Sequence, residues 1–235
     1  MVKTDFHTHC LPCIDDGATS PEVSVQMLEM LKKQGIEHVV LSSHFYPQTE
    51  SLDKFILRRT ESCIKLNNVI KGKDIPILSV GAEVNMVRRI SEQDLSQLCI
   101  ENTNLIMLEM PYGPFESWVI NELEIIIYEQ KLCPIIAHLD RYLAWFKMSD
   151  FEDVLSLNDM IYQINVSSFE SGKARKFILN LAQSGYPLVL GTDAHDLSVR
   201  PPDFSPYFKL LKKKNVKTLL DEAFTRSNRV LPFEC

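Results

Sequence analysis

Thr4-Asp5-Phe6-His7-Thr8-His9, close to the start of the chain, is a short strand-like run that ends in two histidines, and its form recurs along the sequence. Ile77 to Ala82 runs into Glu83, Leu105 to Leu108 into Glu109, and Pro134 to Ala137 into His138; Pro187 to Leu190 is followed by Asp193 and His195. Seven β-branched or Leu-rich runs are predicted as strands: Thr4 to His7, His38 to Ser42, Ile77 to Ala82, Leu105 to Glu109, Pro134 to His138, Ile161 to Val166 and Pro187 to Leu190. Segments of helical period separate them, the pattern of repeated βα units and a mainly parallel sheet. Parallel strands can form an open sheet or a closed barrel. Metal-capable side chains stand at the ends of six of the runs, and a barrel brings such ends together at one mouth, whereas an open sheet spreads them along an edge. The expected fold is therefore an α/β barrel with its site at the C-terminal ends of the strands.

Four helices are predicted. Ser20-Pro21-Glu22 is a cap followed by Pro in the first turn, Val25, Leu28 and Leu31 keep helical spacing, and Gly35 is the stop, so a helix is expected over Pro21 to Gly35. Glu116 to Lys131, Ser171 to Gly185 and Asp203 to Lys214 read similarly. The 235 residues contain no internal repeat or linker, and one domain over 1–235 is expected.

Lys plus Arg number 25 against 31 Asp plus Glu, for a net charge of -6, and no basic block is long enough to track a phosphate backbone. Nucleic acid is thereby disfavoured as a partner. No stretch approaches about 18 apolar residues and no leader-type apolar region is evident, so a cytoplasmic protein without a membrane span is expected. The six cysteines, Cys10, Cys13, Cys63, Cys99, Cys133 and Cys235, read as reduced thiols. Cys10-x-x-Cys13 lacks the second ligand pair of a zinc knuckle.

His7-x-His9 puts two imidazoles on one side of an extended segment, where both can reach one ion. Of six histidines only His38 falls at the beginning of a run, and it is read as structural. Glu83 and Glu109 each end an apolar run, where an unpaired carboxylate would be costly; a cation accounts for both. Asp15-Asp16-Gly17 lies in the loop after the first run and Asp193 precedes Ala194-His195.

His7-Thr8-His9, Ile14-Asp15-Asp16-Gly17-Ala18, Ser43-His44, Gly81-Ala82-Glu83, Leu108-Glu109-Met110-Pro111, Ala137-His138-Leu139-Asp140-Arg141, Gln163-Ile164-Asn165 and Thr192-Asp193-Ala194-His195 with Arg200-Pro201-Pro202 occur in this order. Together they resemble the polymerase and histidinol phosphatase (PHP) superfamily, and within it the bacterial tyrosine-protein phosphatases associated with capsular or exopolysaccharide synthesis. The resemblance covers essentially the whole chain. It implies a distorted (β/α)7 barrel with a trinuclear metal centre, usually manganese-dependent. One metal would take His7, His9, Glu83 and Asp193, a second would share Glu83 and add Glu109 and His138, and a third would take Asp16, His44 and His195. Asp16 rather than Asp15 is chosen because it directly precedes Gly17. Arg141 and Arg200 match the phosphate-contacting arginines.

The chain departs from the family pattern in four places. His44-Phe45 stands where relatives often have two histidines, Met110 replaces Phe, Leu139-Asp140 replaces Pro-Glu, and Cys13 replaces a Gly before the Ile-Asp-Asp segment. None removes an expected ligand.

Four carboxylates against three divalent ions leave about +2, or about +1 with a bridging hydroxide, so the centre attracts a phosphomonoester dianion although the whole protein is acidic. Imidazole and carboxylate donors suit manganese, iron or zinc. The expected reaction is hydrolysis of phosphotyrosine by in-line attack of a metal-bridging hydroxide, with Arg141 and Arg200 on the non-bridging oxygens and no assigned general acid. No cysteine has Arg six positions on, which excludes a Cys-x5-Arg phosphatase loop, and neither a Gly-x4-Gly-Lys nor a Gly-x-Gly-x-x-Gly motif is present. The substrate expected from the resemblance is a phosphotyrosyl protein, such as the tail of a bacterial tyrosine kinase; the oligomeric state stays open. Hydrolysis of a small phosphomonoester such as histidinol phosphate is the alternative, followed by a non-catalytic metal-binding regulatory role. Phe45, Tyr46 and Tyr112 could flank an aromatic substrate, but packing is the commoner use of such residues.

Overall fold

In the computed structural model, which describes residues 3–228, nine strand segments make seven staves of one parallel wall. They are β1 (Thr4–Thr8), β2 (His38–Leu41), β3 (His44–Phe45), β4 (Ile77–Val80), β5 (Glu83–Asn85), β6 (Leu105–Glu109), β7 (Cys133–Ile136), β8 (Ile161–Asn165) and β9 (Leu188–Gly191). Ser42-Ser43 divides β2 from β3, and Gly81-Ala82 divides β4 from β5, so the predicted runs 38–42 and 77–82 each become two segments. Every neighbouring pair is parallel, in the orders β1-β2-β4 and β3-β5-β6-β7-β8-β9.

The wall closes between its first and last staves. Thr8 bridges Ala194 in parallel, with Asp193 N–H donating to His7 O at 2.7 Å and His9 N–H to Ala194 O at 2.9 Å. Beside this seam the β1–β2 register shifts between Asp5 and Thr8, and the Ser42 hydroxyl accepts the Thr8 N–H at 3.0 Å, replacing a ladder bond. These irregularities distort the barrel without opening it.

Leu105 and Met107 of β6 belong to a small buried cluster with Ile135, Ile161 and Val189, and Glu109, two residues further along the same face, belongs to the site. A larger apolar layer lies between the strands and helices α1 (Pro21–Lys33), α2 (Leu52–Val69), α3 (Trp118–Tyr128), α4 (Met148–Leu155), α5 (Gly172–Gln183), α6 (Ser205–Leu210) and α7 (Lys214–Asn228). The Ser20 hydroxyl caps α1 by accepting the Val23 N–H, and Val25, Leu28 and Leu31 are buried as their spacing predicts. Removing a side chain such as Leu28 would cost about 2–5 kcal/mol.

Two corrections concern the helices. The expected helix over Asp203 to Lys214 is only Ser205–Leu210: the Asp203 carboxylate accepts the Ser205 N–H and stands before the helix, and a turn separates it from α7. Helices α2, α4 and α7 were not among the predicted ones. In α2 the apolar period is broken, because Ser62 occupies a buried position while Leu57 and Ile64 are exposed. Cys10, Cys13, Cys63, Cys99 and Cys133 are free thiols, and burial pushes Cys10 up to about 12. Met1, Val2 and Cys235 lie outside the described residues. Among the described residues no helix is long and apolar enough to cross a membrane.

Candidate metal centre

The ends of β1, β6, β7 and β9 with the loops just beyond them, and the starts of β3 and β5, bring all nine expected ligands into one cluster: His7, His9, Asp16, His44, Glu83, Glu109, His138, Asp193 and His195. Their donor atoms fall into overlapping groups, His9-Asp16-His44-His195, His7-Glu83-His138, His7-His9-Asp193 and His44-Glu83-Glu109. Glu83 is central. Its Oε2 lies 3.1 Å from His7 Nε2, 3.3 Å from His9 Nε2 and 3.0 Å from His44 Nδ1, and its Oε1 lies 2.9 Å from His138 Nε2. His138 Nε2 is also 3.5 Å from Glu109 Oε1.

Hydrogen bonds behind the cluster fix which imidazole nitrogen faces it. The Oε1 of Gln163 accepts the His138 backbone N–H at 2.5 Å, so it is an acceptor, and the His7 Nδ1 beside it at 3.0 Å must donate. His7 Nε2 is then a lone pair. His9 Nδ1 likewise meets Asp15 Oδ2 at 2.9 Å. The two Nε2 atoms face each other at 3.2 Å, with Asp193 Oδ1 3.5 and 3.4 Å away. Acceptors converging at such distances repel unless a cation or protons lie between them, and tetrahedral or octahedral ions are held by just such imidazole and carboxylate sets. The donor set fits a metal.

Asp15 and Asp16 stand in different surroundings. Asp15 is buried and accepts from His9, from the Gly17 N–H at 3.0 Å and from the His44 N–H at 3.0 Å. Asp16 is 65% exposed, and its Oδ1 faces His195 Nε2 at 3.4 Å and His44 Nε2 at 3.5 Å. A Cβ at position 17 would lie 2.2 Å from His9 O, so only glycine lets this loop pass the first stave. Cys13, in the same loop, has φ +58, the left-handed conformation that glycine adopts without cost. Phe45 is fully buried against Phe55, with ring centres 5.0 Å apart, and takes no place in the cluster.

The family model described as capsular polysaccharide synthesis, CpsB/CapC, matches residues 3–231. The chain belongs to the CpsB/CapC family. It is 27% identical over 206 residues to the tyrosine-protein phosphatase YwqE of Bacillus subtilis (strain 168), covering 83% of this chain and 78% of that one. It is 24% identical over 247 residues to the tyrosine-protein phosphatase CpsB of Streptococcus pneumoniae, covering 96% of each. A chain from the crystal structures of YwqE and CpsB, described there as unique metal-dependent tyrosine phosphatases, superposes with a TM-score of 0.75 at 20% identity, covering 98% of this chain and 96% of that one. The histidinol phosphate phosphatase of Lactococcus lactis, solved with zinc, L-histidinol and phosphate, superposes with a TM-score of 0.56 at 15% identity, covering 94% of each. These two superpositions carry the fold, a distorted TIM-like barrel of PHP type.

In this CpsB/CapC chain both expected phosphate-binding arginines stand at the mouth. His138 turns the chain with φ +31 into the short 3-10 turn Leu139–Ala144, which carries Arg141 back over the centre against Asp193 Oδ2. Buried Asp140 holds that turn by accepting the Asn165 N–H at 2.9 Å and the Ser168 hydroxyl. Arg200 reaches Asp193 Oδ1 at 2.8 Å. Its loop is folded by Asp196, whose Oδ1 accepts the Ser198 and Val199 N–H groups at 2.6 Å each, and Gln34 ties the following segment to α1 through Pro202 O and the Phe204 N–H.

Electrostatics follow the same geography. Burial opposes charge on Glu83, yet the neighbouring His7 and hydrogen bonds from His138 and His44 hold it well below the carboxylate range. The charge and hydrogen bond of His9, with backbone N–H groups, hold Asp15 below it. Asp15, Asp193 and Glu83 in turn raise His9 well above the imidazole range against its burial. Hydrogen bonds to Glu109 and Glu83 raise His138 to about 9, while burial and the His9 charge push His195 down to about 4.

Asp15, Gln163, Asn165 and Gly191 were not assigned roles from the sequence. Asn165 Nδ2 donates to Asp193 Oδ2 at 3.3 Å and its Oδ1 accepts from Gln163 Nε2 at 3.0 Å, so β8 supports the centre without supplying a ligand. Polar residues at alternate positions of an otherwise apolar strand are the signal that could have found them. His38, read as structural, meets Ser79 Oγ at 2.9 Å, remote from the cluster.

Proposed function

We propose that this chain is a metal-dependent protein-tyrosine phosphatase acting in the regulation of capsule or exopolysaccharide synthesis, as the names of its relatives suggest. The observation that carries the reading is the convergence of His7 Nε2, His9 Nε2, Glu83 Oε2 and Asp193 Oδ1 beneath two arginines. Three divalent ions, most economically Mn2+, with iron and zinc as alternatives, would be held by the nine residues: His7, His9, Glu83 and Asp193; Glu109 and His138 sharing Glu83; and Asp16, His44 and His195. When bound, such ions lower the pKa of water enough to supply a nucleophile near neutral pH and neutralise phosphate charge.

The chain's own groups do the rest. Gln163 and Asp15 hold His7 and His9 in the tautomer that presents Nε2. Arg141 and Arg200, each about one-third exposed, turn free guanidinium donors to the non-bridging phosphate oxygens and orient the ester for in-line attack. The tyrosine phenolate leaves without a dedicated acid. Asp16, on the solvent side, and the exposed rim around it leave the mouth open to a side chain borne on a protein, such as the tail of a bacterial tyrosine kinase. A cytoplasmic location fits such a substrate.

Phosphate release from a phosphotyrosyl peptide and from histidinol phosphate, each with manganese and with excess chelator, tests the reading. Manganese-dependent turnover favouring the peptide is expected. Preference for histidinol phosphate overturns the substrate assignment, and no turnover of either by the manganese-loaded chain overturns the activity.

A further inference from the structure

Beside Arg141 the rim carries two large aromatic side chains that the proposed chemistry leaves without a task. Tyr112, in the loop after β6, is 47% exposed, and Trp145, at the end of the 3-10 turn after β7, is 44% exposed. Their rings meet at 5.2 Å and 53°, forming an open corner.

The corner is fixed from behind. Tyr112 lies nearly parallel to His138 at 6.0 Å and 20°, and to Tyr142 at 5.9 Å and 23°. Tyr142 is fully buried and donates its hydroxyl to Met110 O at 2.8 Å. The Tyr112 hydroxyl accepts from Arg141 Nη1 at 3.3 Å, so the corner begins where a phosphate held by Arg141 would end. Tyr112, held from behind, and the Trp145 ring that meets it form a half-exposed apolar surface at the mouth of a polar site, of the kind that marks a ligand subsite, and the pre-ordering of Tyr112 lowers the cost of binding on it.

We propose that Tyr112 and Trp145 form the wall that receives the aromatic ring of a phosphotyrosyl substrate, and that they set a preference for aryl over alkyl phosphomonoesters. This rests on the phosphatase reading above. A ring attached through oxygen to a phosphate on Arg141 extends along this corner, stacking on one side chain and meeting the other at an angle, the two favoured aromatic geometries. A seryl phosphate, with no ring beyond its β-carbon, leaves the wall in water. Tyr46, stacked on His44 at 4.9 Å and 26°, is only partly exposed.

The test uses the manganese-loaded chain and its Trp145→Ala and Trp145→Phe variants. The readouts are kcat/KM for a phosphotyrosyl peptide and inhibition by phenylphosphonate and by inorganic phosphate. Trp145→Ala is expected to lose about tenfold in kcat/KM, mainly through KM, and about tenfold in phenylphosphonate affinity; phosphate inhibition should stay within about twofold and Trp145→Phe should recover most of the loss. In a Trp118→Phe background Trp145 is the sole tryptophan, and its fluorescence should respond to phenylphosphonate and not to phosphate. An unchanged Trp145→Ala, or equal weakening of phosphate and phenylphosphonate, overturns the wall while the phosphatase reading stands. A wild-type chain that hydrolyses no phosphomonoester overturns both.

Discussion

The side-chain oxygen of Gln163 lies 3.0 Å from His7 Nδ1 and, by also accepting the His138 backbone N–H, fixes two proposed metal ligands from a strand that contributes none itself. Gln163→Met keeps the length and removes the acceptor. Manganese affinity should fall about 10–100-fold, the usual cost of losing an outer partner, while the circular dichroism spectrum stays that of the wild type. Undiminished affinity in a metal titration would show that His7 needs no such support.

His7→Ala and His138→Ala each remove a nitrogen facing Glu83, at 3.1 and 2.9 Å. Each purified variant should be folded and lack manganese-dependent phosphate release. Normal turnover in either would sink the proposed centre.

Gly191 leaves no room for a side chain. A Cβ there would lie 2.5 Å from His7 Cβ and 2.8 Å from Gln163 Nε2. Gly191→Ala should therefore push β9 from β1, destabilise the chain by about 1–3 kcal/mol and reduce bound metal, as read by thermal melting and elemental analysis.

Stability of the metal-free chain should fall as pH rises. His9 and His138 have raised folded pKa values, His138 about 9, so their contribution is fully present below the ordinary imidazole value and is lost as pH passes through the folded one. Asp5, which burial raises to about 7 despite hydrogen bonds from Thr192 and His7, acts in the same direction. Melting temperature should drop by several degrees between pH 6 and about 9.5 without metal, and excess manganese should remove the drop because cations replace the protons. A flat profile in chelator would contradict this.

Cys13→Gly should stabilise the chain by about 1 kcal/mol and leave turnover unchanged, since the residue is exposed at φ +58 and gives up only its Sγ contact to Thr19 O. Denaturant unfolding reads the gain.

Much of this arrangement was legible because strand ends and chemistry coincide. An apolar run closed by Glu83 or Glu109 is costly as a core strand and economical as a stave that delivers a ligand, so fold and site were read from one pattern. Helix α2 was not legible, because packing on the barrel, rather than a clean apolar stripe, sustains a segment that buries Ser62 and exposes Leu57. Gln163 and Asn165 were visible as motif residues, but their work depends on which neighbours the curved wall brings beside β8, and sequence spacing carries no such information. Nor does spacing reveal that Gly17 and Gly191 are needed for close approach, since neither has a left-handed backbone and both serve a neighbour distant in the chain or out of line with it.

The seam at Thr8 and Ala194 also sets an order of events during synthesis. Asp193 and His195 are synthesised long after His7 and His9, so seven of the nine proposed ligands wait for the stave that brings the last two. Such a long-range closure is slow to find. On the proposed ligand set, tight capture of a divalent ion waits for that closure, so metal loading would report on a correctly closed wall.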